Sequence, residues 1–200
     1  MSYLLGSIPT GFLMARFRGI DIRTVGSGNI GATNAFRVLG KTMGTIVLLV
    51  DALKGAGAVL LAPLVAGMVL SPVPDWVPLL AGIWAILGHN FTCWLGFKGG
   101  KGIATSAGVM AALVPYALCI AVGVWILVFA MSRFVSLASI CAAGTLPIAT
   151  AATAHGNRLI LAATLLIGGL AIWRHRPNIK RLLNGTENRF GKKSAPVTNP

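Results

Sequence analysis

Long apolar runs alternate with short polar segments along this 200-residue chain, a pattern typical of a protein that crosses a membrane several times. The first run contains Pro9, and at ~1.5 Å per residue it reaches only ~22 Å, short of the ~30 Å hydrocarbon core. Its positive charge follows at Arg16 and Arg18, whereas a cleaved signal peptide carries its charge first. We therefore expect a helix whose N-terminus lies outside. The predicted helices cover residues 3–17, 42–70, 77–88, 103–113, 116–131, 135–153 and 159–173.

The number of spans depends on whether residues 103–131 form one helix or two. One helix gives six spans, with the C-terminal tail outside. A break near Pro115 gives seven spans and leaves Arg158 as the only cation in the outer turns, in agreement with the positive-inside rule. The sequence thus predicts an all-α, polytopic membrane protein of about seven transmembrane helices, one of them short or re-entrant. Its N-terminus would lie outside and its C-terminus in the cytoplasm.

Composition supports one integral membrane domain over residues 1–200, with a disordered tail at 193–200. Hydrophobic residues make up 56% of the chain and charged residues 10%, and 17 basic residues against four acidic ones give a net charge of +13. So few carboxylates argue against paired-carboxylate hydrolysis and hard-metal sites, and the three cysteines match no ligand spacing. We expect no metal and no cofactor. Topology, anionic lipid or an anionic substrate explains the basic charge better than nucleic acid does.

The first of two glycine-rich polar segments spans residues 25–34, with arginines on both sides. Glycines let backbone N–H groups approach a ligand closely, and Ser, Thr and Asn add side-chain donors. This composition suits a phosphate group; a flexible polar turn between two helices is the alternative. The spacing of Gly26, Gly28 and Gly31 also fits a dinucleotide fingerprint, but the βαβ unit it requires is missing. The candidate ligand-binding residues here are Ser27, Gly28, Asn29, Gly31, Thr33, Asn34 and the following Arg37.

The second segment is a basic glycine loop at residues 97–102, and a third polar segment begins at Arg174. In the seven-span topology all three segments lie on the cytoplasmic face, and Ser136 lies at a fourth junction between helices on the same face. The alternative for Lys98 and Lys101 is that their charges only orient the protein in the membrane and lie near lipid head groups. Candidate phosphate-binding residues of the second loop are Lys98, Gly99, Gly100 and Lys101, and the candidate catalytic residues are His175, Asn178 and Ser136.

Four further polar residues have a structural interpretation. Asp51 and Lys54 stand three residues apart, on one face of a helix, and are expected to form an ion pair rather than to take part in chemistry. His89 is either a hydrogen-bonded packing residue or a ligand. Glu187, a single acid among cations, is expected to organise the tail.

Ordered motifs along nearly the whole chain resemble those of the bacterial acyl-phosphate:glycerol-3-phosphate acyltransferases. They are Leu5-Gly6-Ser7-Ile8-Pro9, residues 26–34 with Arg37, Asp51-Ala52-Leu53-Lys54-Gly55, Gly88-His89, residues 97–102, Ser132-Arg133-Phe134-Val135-Ser136, and Arg174-His175 with Asn178 and Gly185-Thr186-Glu187. The chain departs from the family in its shorter apolar N-terminus, which concerns the packing of the first helix. The resemblance implies a seven-helix enzyme of the bacterial inner membrane with a cytoplasmic active site. It implies transfer of a fatty acyl group from acyl phosphate to glycerol 3-phosphate, giving lysophosphatidic acid.

On this interpretation the two loops bind the two phosphates of the substrates. Ser27 and Asn29 with their backbone would hold one phosphate, and Arg37 and Lys98 the other, with Gly99 and Gly100 allowing close approach; which loop serves which substrate stays open. Two hypotheses concern the proton of the attacking hydroxyl. In the first, His175 is the general base and Asn178 orients it or the glycerol; in the second, a phosphate oxygen of the donor takes the proton. The second is favoured because no carboxylate stands near His175 in sequence. The expected partners are the two substrates, membrane lipid and the soluble enzyme that makes acyl phosphate.

Two rival functions predict different features. A small transporter of a phosphorylated or anionic solute would place polar groups near mid-bilayer, often in repeated halves. A non-catalytic scaffold that binds anionic lipid through its tail would not require the ordered loops.

Overall fold

The computed structural model describes residues 1–154 and 156–191, and within them the regular elements are all helical. The predicted all-α class is therefore confirmed for this part of the chain, whereas the predicted disordered tail at 193–200 lies outside it. The helices are α1 (Ser2–Ser7), α2 (Thr10–Phe17), α3 (Ala32–Val38), α4 (Gly40–Ala66), α5 (Trp76–Asn90), a 3₁₀ turn (Cys93–Leu95), α6 (Ile103–Leu113), α7 (Pro115–Ser132), α8 (Val135–Thr153), α9 (Arg158–Arg174) and α10 (Arg176–Leu183).

Prolines set two of the helix boundaries. Pro115 opens α7, and the preceding Val114 leaves the helical region with φ −142° and ψ 64°, which confirms the predicted break. The prediction of one helix over residues 3–17 is wrong, because the chain breaks at Ile8-Pro9 into α1 and α2. Proline disfavours helical backbone in the residue before it, and Ile8 has φ −54° and ψ 113°.

Four helical segments in the described residues are long and apolar enough to cross a membrane: Gly40–Ala66, Trp76–Leu95, Pro115–Ser132 and Val135–Thr153. Helices α9 and α10 meet at a bend of 55° and count as a fifth if the pair is one span. The protein is thus a multi-pass membrane protein. By length alone these are fewer spans than the seven expected from charge, and α6, with 11 residues, is short for a crossing.

Small residues bring the helices close together, as is usual where lipid surrounds a bundle. A Cβ on Gly108 of α6 would lie 1.8 Å from the Ala52 carbonyl oxygen of α4, and one on Gly6 of α1 would lie 2.0 Å from the Ala85 oxygen of α5. Helix α7 packs on α8 and α8 on α9. These crossings bring the loops after α2, α5 and α7 and the chain after α9 to one end of the bundle, where the candidate residues lie.

Candidate active site

A polar cavity of about 230 Å³ opens at this end of the bundle. Three of the predicted segments contribute to it: the first glycine loop, the second glycine loop and the chain around the bend between α9 and α10. Four cationic side chains in one cavity suit an anionic ligand such as a phosphate group. The lining residues are Ser27, Gly28, Asn29, Lys101, Trp173, Arg174, Arg176, Pro177, Asn178 and Arg181.

The buried side chain of Asn34 holds the first glycine loop in shape. Its Oδ1 accepts from Ser27 N at 2.9 Å, and its Nδ2 donates to the carbonyl oxygens of Ile22 at 3.2 Å and Val25 at 3.1 Å. Gly26 has φ +62°, and a Cβ there would lie 2.3 Å from Asn34 Oδ1. Asn34, predicted as a ligand-binding residue, therefore has its amide directed into the loop and not into the cavity.

Three backbone N–H groups of this loop are used by the loop itself. Ser27 N donates to Asn34, Gly28 N to Val25 O at 3.0 Å, and Gly31 N to Asn29 Oδ1 at 2.8 Å. These three amides are therefore not free to bind a phosphate, whereas Ser27 and Asn29 themselves line the cavity.

Helix α3 places two predicted residues outside the cavity. Thr33 lies in its first turn, away from the lining. Arg37 Nη2 donates to the Asn188 carbonyl oxygen at 3.4 Å, so it contacts the C-terminal segment.

The second glycine loop folds back against the end of α5. Gly100 N donates to His89 O at 3.0 Å and Gly99 N to Asn90 O at 3.1 Å. The two glycine carbonyls accept from the Arg174 guanidinium, with Nη2 at 3.1 Å from Gly99 O and 2.7 Å from Gly100 O. The glycines thus give close approach to α5 and to Arg174, and neither of them lines the cavity.

The two lysines of this loop have different positions. Lys98 is exposed and lies outside the cavity, although the sequence placed it with Arg37 as a phosphate-binding pair. Lys101 lies in the cavity wall, and burial lowers its pKa to about 8, with Glu187 opposing and nearby arginines reinforcing the shift.

A chain of hydrogen bonds connects three of the sequence motifs. Ser136 Oγ donates to Glu187 Oε1 at 2.8 Å, and Asn178 Nδ2 donates to the same oxygen at 2.7 Å. Since its nitrogen faces Glu187, Asn178 presents Oδ1 to the Lys101 ammonium, which donates to it. Arg181 Nε completes the set at 2.7 Å from Glu187 Oε2. Burial raises the pKa of Glu187, but the bonds from Asn178, Arg181 and Ser136 outweigh it and hold that pKa below its usual value.

These contacts confirm that Glu187 organises the tail and place Ser136 behind the cavity wall rather than in it. Ser136 contacts the site through Glu187, whereas Asn178 lines the cavity directly. Arg181 belongs to the cavity and was missed from the sequence. The available signal was its position one helical turn after Asn178.

His175 is buried at the bend between α9 and α10 and is not part of the cavity lining. Its Nδ1 lies 2.8 Å from the Ala171 carbonyl oxygen. Because a carbonyl only accepts, Nδ1 carries the proton and Nε2 keeps a lone pair. A backbone carbonyl thus fixes the tautomer that a carboxylate fixes in most histidine bases.

Among residues 1–154 and 156–191 no three His, Cys, Asp or Glu side chains converge as a metal site would require. The arrangement is one of cations and amides around a small polar cavity. It can bind phosphate groups and hold them in a fixed orientation.

Comparison with known proteins gives the same picture over almost the full length. A family model described as glycerol-3-phosphate acyltransferase matches residues 1–185. The chain is 46% identical over 190 residues to the glycerol-3-phosphate acyltransferase of Geobacter sulfurreducens, across 95% of this chain and 94% of that one. It is 50% identical over 191 residues to that of Desulforudis audaxviator, across 95% and 92% of the two chains.

Solved structures agree with the sequence comparison. The crystal structure of PlsY, an integral membrane glycerol 3-phosphate acyltransferase, in its glycerol 3-phosphate form superposes with a TM-score of 0.87 at 43% identity. The match covers 95% of this chain and 92% of that one. The lysophosphatidic acid form of PlsY superposes with a TM-score of 0.84 at 42% identity.

Proposed function

This chain belongs to the glycerol-3-phosphate acyltransferase family, and we propose that it transfers a fatty acyl group from acyl phosphate to the 1-hydroxyl of sn-glycerol 3-phosphate. The products are lysophosphatidic acid and inorganic phosphate. The observation that carries the proposal is the cavity itself, where four cations and the amide of Asn178 surround a space for phosphate groups. The family membership makes the chain an acyltransferase; the donor is our inference.

An apolar groove of about 90 Å³ begins beside the cavity and suits the acyl chain. It runs between α6, α7, α8 and α9, and its wall includes Ile103, two residues after Lys101, and Ala171, whose carbonyl contacts His175. A lipid-tailed donor would enter from the bilayer along this groove while its phosphate met the cations. Glycerol 3-phosphate would arrive from the aqueous side.

The chemistry needs little beyond this placement. The glycerol oxygen attacks the acyl carbonyl carbon, the bond between that carbon and the phosphate oxygen breaks, and phosphate leaves with the electron pair. Phosphate is a good leaving group, so no acid is required, and a phosphate oxygen can take the hydroxyl proton. The buried position of His175, outside the cavity lining, supports this route over a histidine base.

Conservative variants of His175 distinguish the two routes. We expect His175→Asn, whose amide can still donate to Ala171 O, to keep measurable turnover and to show mainly a raised KM. Steady-state kinetics of the purified variant provide the measurement. An inactive His175→Asn protein that still binds both substrates would instead establish His175 as the base.

Activity should fall at alkaline pH as Lys101 loses its proton. Its pKa of about 8 means that the ammonium is present at pH 7 and lost as pH rises through 8, while a phosphate monoester, with a second pKa of about 6, stays dianionic. We expect kcat/KM for glycerol 3-phosphate, which reports the free enzyme, to fall above pH 8. Lys101→Arg keeps its charge at every such pH, so its profile should stay flat there. The same fall in both proteins would contradict the assignment.

We also propose seven crossings, with the N-terminus outside and the active site and tail on the cytoplasmic face of the inner membrane. The junctions after α2, α5 and α9 converge on one cavity, and the junction after α7 is connected to it through Ser136 and Glu187. This supports seven crossings, since α6 must then reach the opposite face for α7 to return. The charge distribution supports the same orientation. The soluble enzyme that supplies acyl phosphate would then work on the same side.

Cysteine labelling tests the topology. In a background without the three native cysteines, single cysteines at Asp75 and at the exposed Asn184 should react with a membrane-impermeant reagent from opposite sides of spheroplasts. Reaction from the same side would refute seven crossings.

The decisive test of function is an assay of the purified protein in detergent. Acyl phosphate and glycerol 3-phosphate should together yield lysophosphatidic acid, and acyl-CoA should not replace the acyl phosphate. Acylation from acyl-CoA alone would refute the donor. Uptake of glycerol 3-phosphate into vesicles without acylation would favour the rival transporter.

A further inference from the structure

A buried ionic cluster lies between α4 and α5, apart from the cavity lining. The Asp51–Lys54 ion pair predicted from the sequence is confirmed, with 2.7 Å between Asp51 Oδ1 and Lys54 Nζ. His89 Nδ1 lies 3.0 Å from the same nitrogen, and all three residues are at most 5% exposed. Charged groups in a membrane-spanning segment are costly to bury, and they are kept there mostly for a role in function.

The Lys54 ammonium fixes the orientation of the His89 ring. Its three donors are directed to Asp51 Oδ1, to the Ile8 carbonyl oxygen at 2.8 Å, and to His89 Nδ1. Because an ammonium only donates, Nδ1 accepts and the ring proton lies on Nε2. Thr10 Oγ1 donates to Asp51 at 3.1 Å and steadies the other end of the pair.

The opposite edge of this ring lies against the second glycine loop. A Cβ on Gly100 would stand 2.1 Å from His89 Nε2, and one on Gly99 would stand 2.1 Å from His89 O. The Gly100 N–H also donates to His89 O. The ring and backbone of this single residue therefore define where the loop lies.

The loop in turn holds two cavity residues. Its glycine carbonyls accept from Arg174, and Lys101 follows Gly100 directly in the chain. A shift of the loop would move both cations relative to a bound phosphate. Displacements of about 1 Å at such a site can reduce catalytic efficiency by up to about 100-fold.

We infer that His89, held by the Asp51–Lys54 ion pair, is a positioning residue that sets the second glycine loop and through it Arg174 and Lys101. This inference rests on the proposed function for its kinetic consequence but not for its structural one. His89 does not line the cavity and acts through Gly99 and Gly100.

A pair of substitutions isolates the contact. His89→Ala should raise the KM for glycerol 3-phosphate by about tenfold and leave kcat within about twofold, since binding groups are displaced while the reacting groups remain. Gly100→Ala should also be impaired, because its methyl group collides with the ring. The double variant should be less impaired than the product of the single effects, since the missing ring leaves room for the methyl group. Gly123→Ala, at a helical glycine with open space around it, is the matched control.

Hydrogen–deuterium exchange provides a readout that does not depend on activity. Residues 97–102 should exchange faster in His89→Ala than in the wild type or in Gly123→Ala. His89→Asn keeps an acceptor for Lys54 and so protects the ion pair. It should give the same faster exchange if His89→Ala fails to fold.

The outcomes separate the inference from the proposed function. A wild-type protein that does not acylate glycerol 3-phosphate refutes the function, and the exchange rates alone then decide the positioning role. Unchanged exchange at residues 97–102 in the His89 variants overturns the inference. Strictly multiplicative effects in an active double variant overturn it as well.

Discussion

Replacing Lys101 with methionine should lower kcat/KM for glycerol 3-phosphate by about 100-fold or more, the cost of removing one partner of a desolvated charge contact. Methionine keeps the length of the side chain and removes only the ammonium. Removing the ammonium also leaves Asn178 Oδ1 without the donor that Lys101 provides. The hydrogen bonds from Ser136 through Glu187 to Asn178 then no longer reach residue 101. Steady-state kinetics in detergent, with melting temperatures to verify folding, measure the effect.

Two other lysines sharpen this experiment. Lys98→Met removes the cation that the sequence placed at the phosphate, and Lys180→Met removes an exposed cation of α10; both lie outside the cavity. We expect each to change kcat/KM by less than about threefold, because exposed charges act weakly through water. If Lys98→Met were inactive and Lys101→Met active, the structural assignment of the phosphate site would be wrong.

Asn34→Ala should lower activity by about 100-fold because the first glycine loop loses the contacts that hold its shape. Misplacing binding groups by about 1 Å has effects of that size. The substitution removes three hydrogen bonds, and leaving the buried Ile22 carbonyl unpaired costs about 1–3 kcal/mol. Ser27 and Asn29 would then lose their fixed position at the cavity. Kinetics and proteolysis of the loop in the purified protein measure both consequences.

A second asparagine provides the control for this variant. Asn184 is exposed at the end of α10, outside the cavity, and Asn184→Ala should behave as the wild type. Normal activity and normal protease resistance in Asn34→Ala would show that the loop keeps its shape without the amide.

Local signals in the sequence predicted most of the helices. Pro115 and the polar break around Arg133 delimit α7, and the predicted range 103–113 of α6 agrees with the structure. The apolar run through Pro9 predicts one helix, but proline disfavours helical backbone at the residue before it, and α1 and α2 are therefore separate. The i,i+3 spacing was sufficient to predict the Asp51–Lys54 pair.

The candidate site was predicted less well, because its contacts join residues far apart in sequence. Nothing near Gly99 and Gly100 indicates that their close partners are His89 and Arg174. Lys98 and Lys101 look equivalent in a glycine loop. Positive φ angles at Phe97 (61°) and Gly102 (79°) shape the backbone between them, and composition does not reveal that only one lysine reaches the cavity.

Glu187 has a consequence for how the enzyme becomes active during synthesis. It lies near the end of the chain, yet it fixes Asn178 and bonds to Ser136, which belongs to a helix completed much earlier. A nascent chain that has already inserted each helix described above still lacks this carboxylate until Glu187 has been translated and has left the ribosome. We therefore expect the active site to form only after that point, and a stop codon just before Glu187 to yield an inserted but inactive protein.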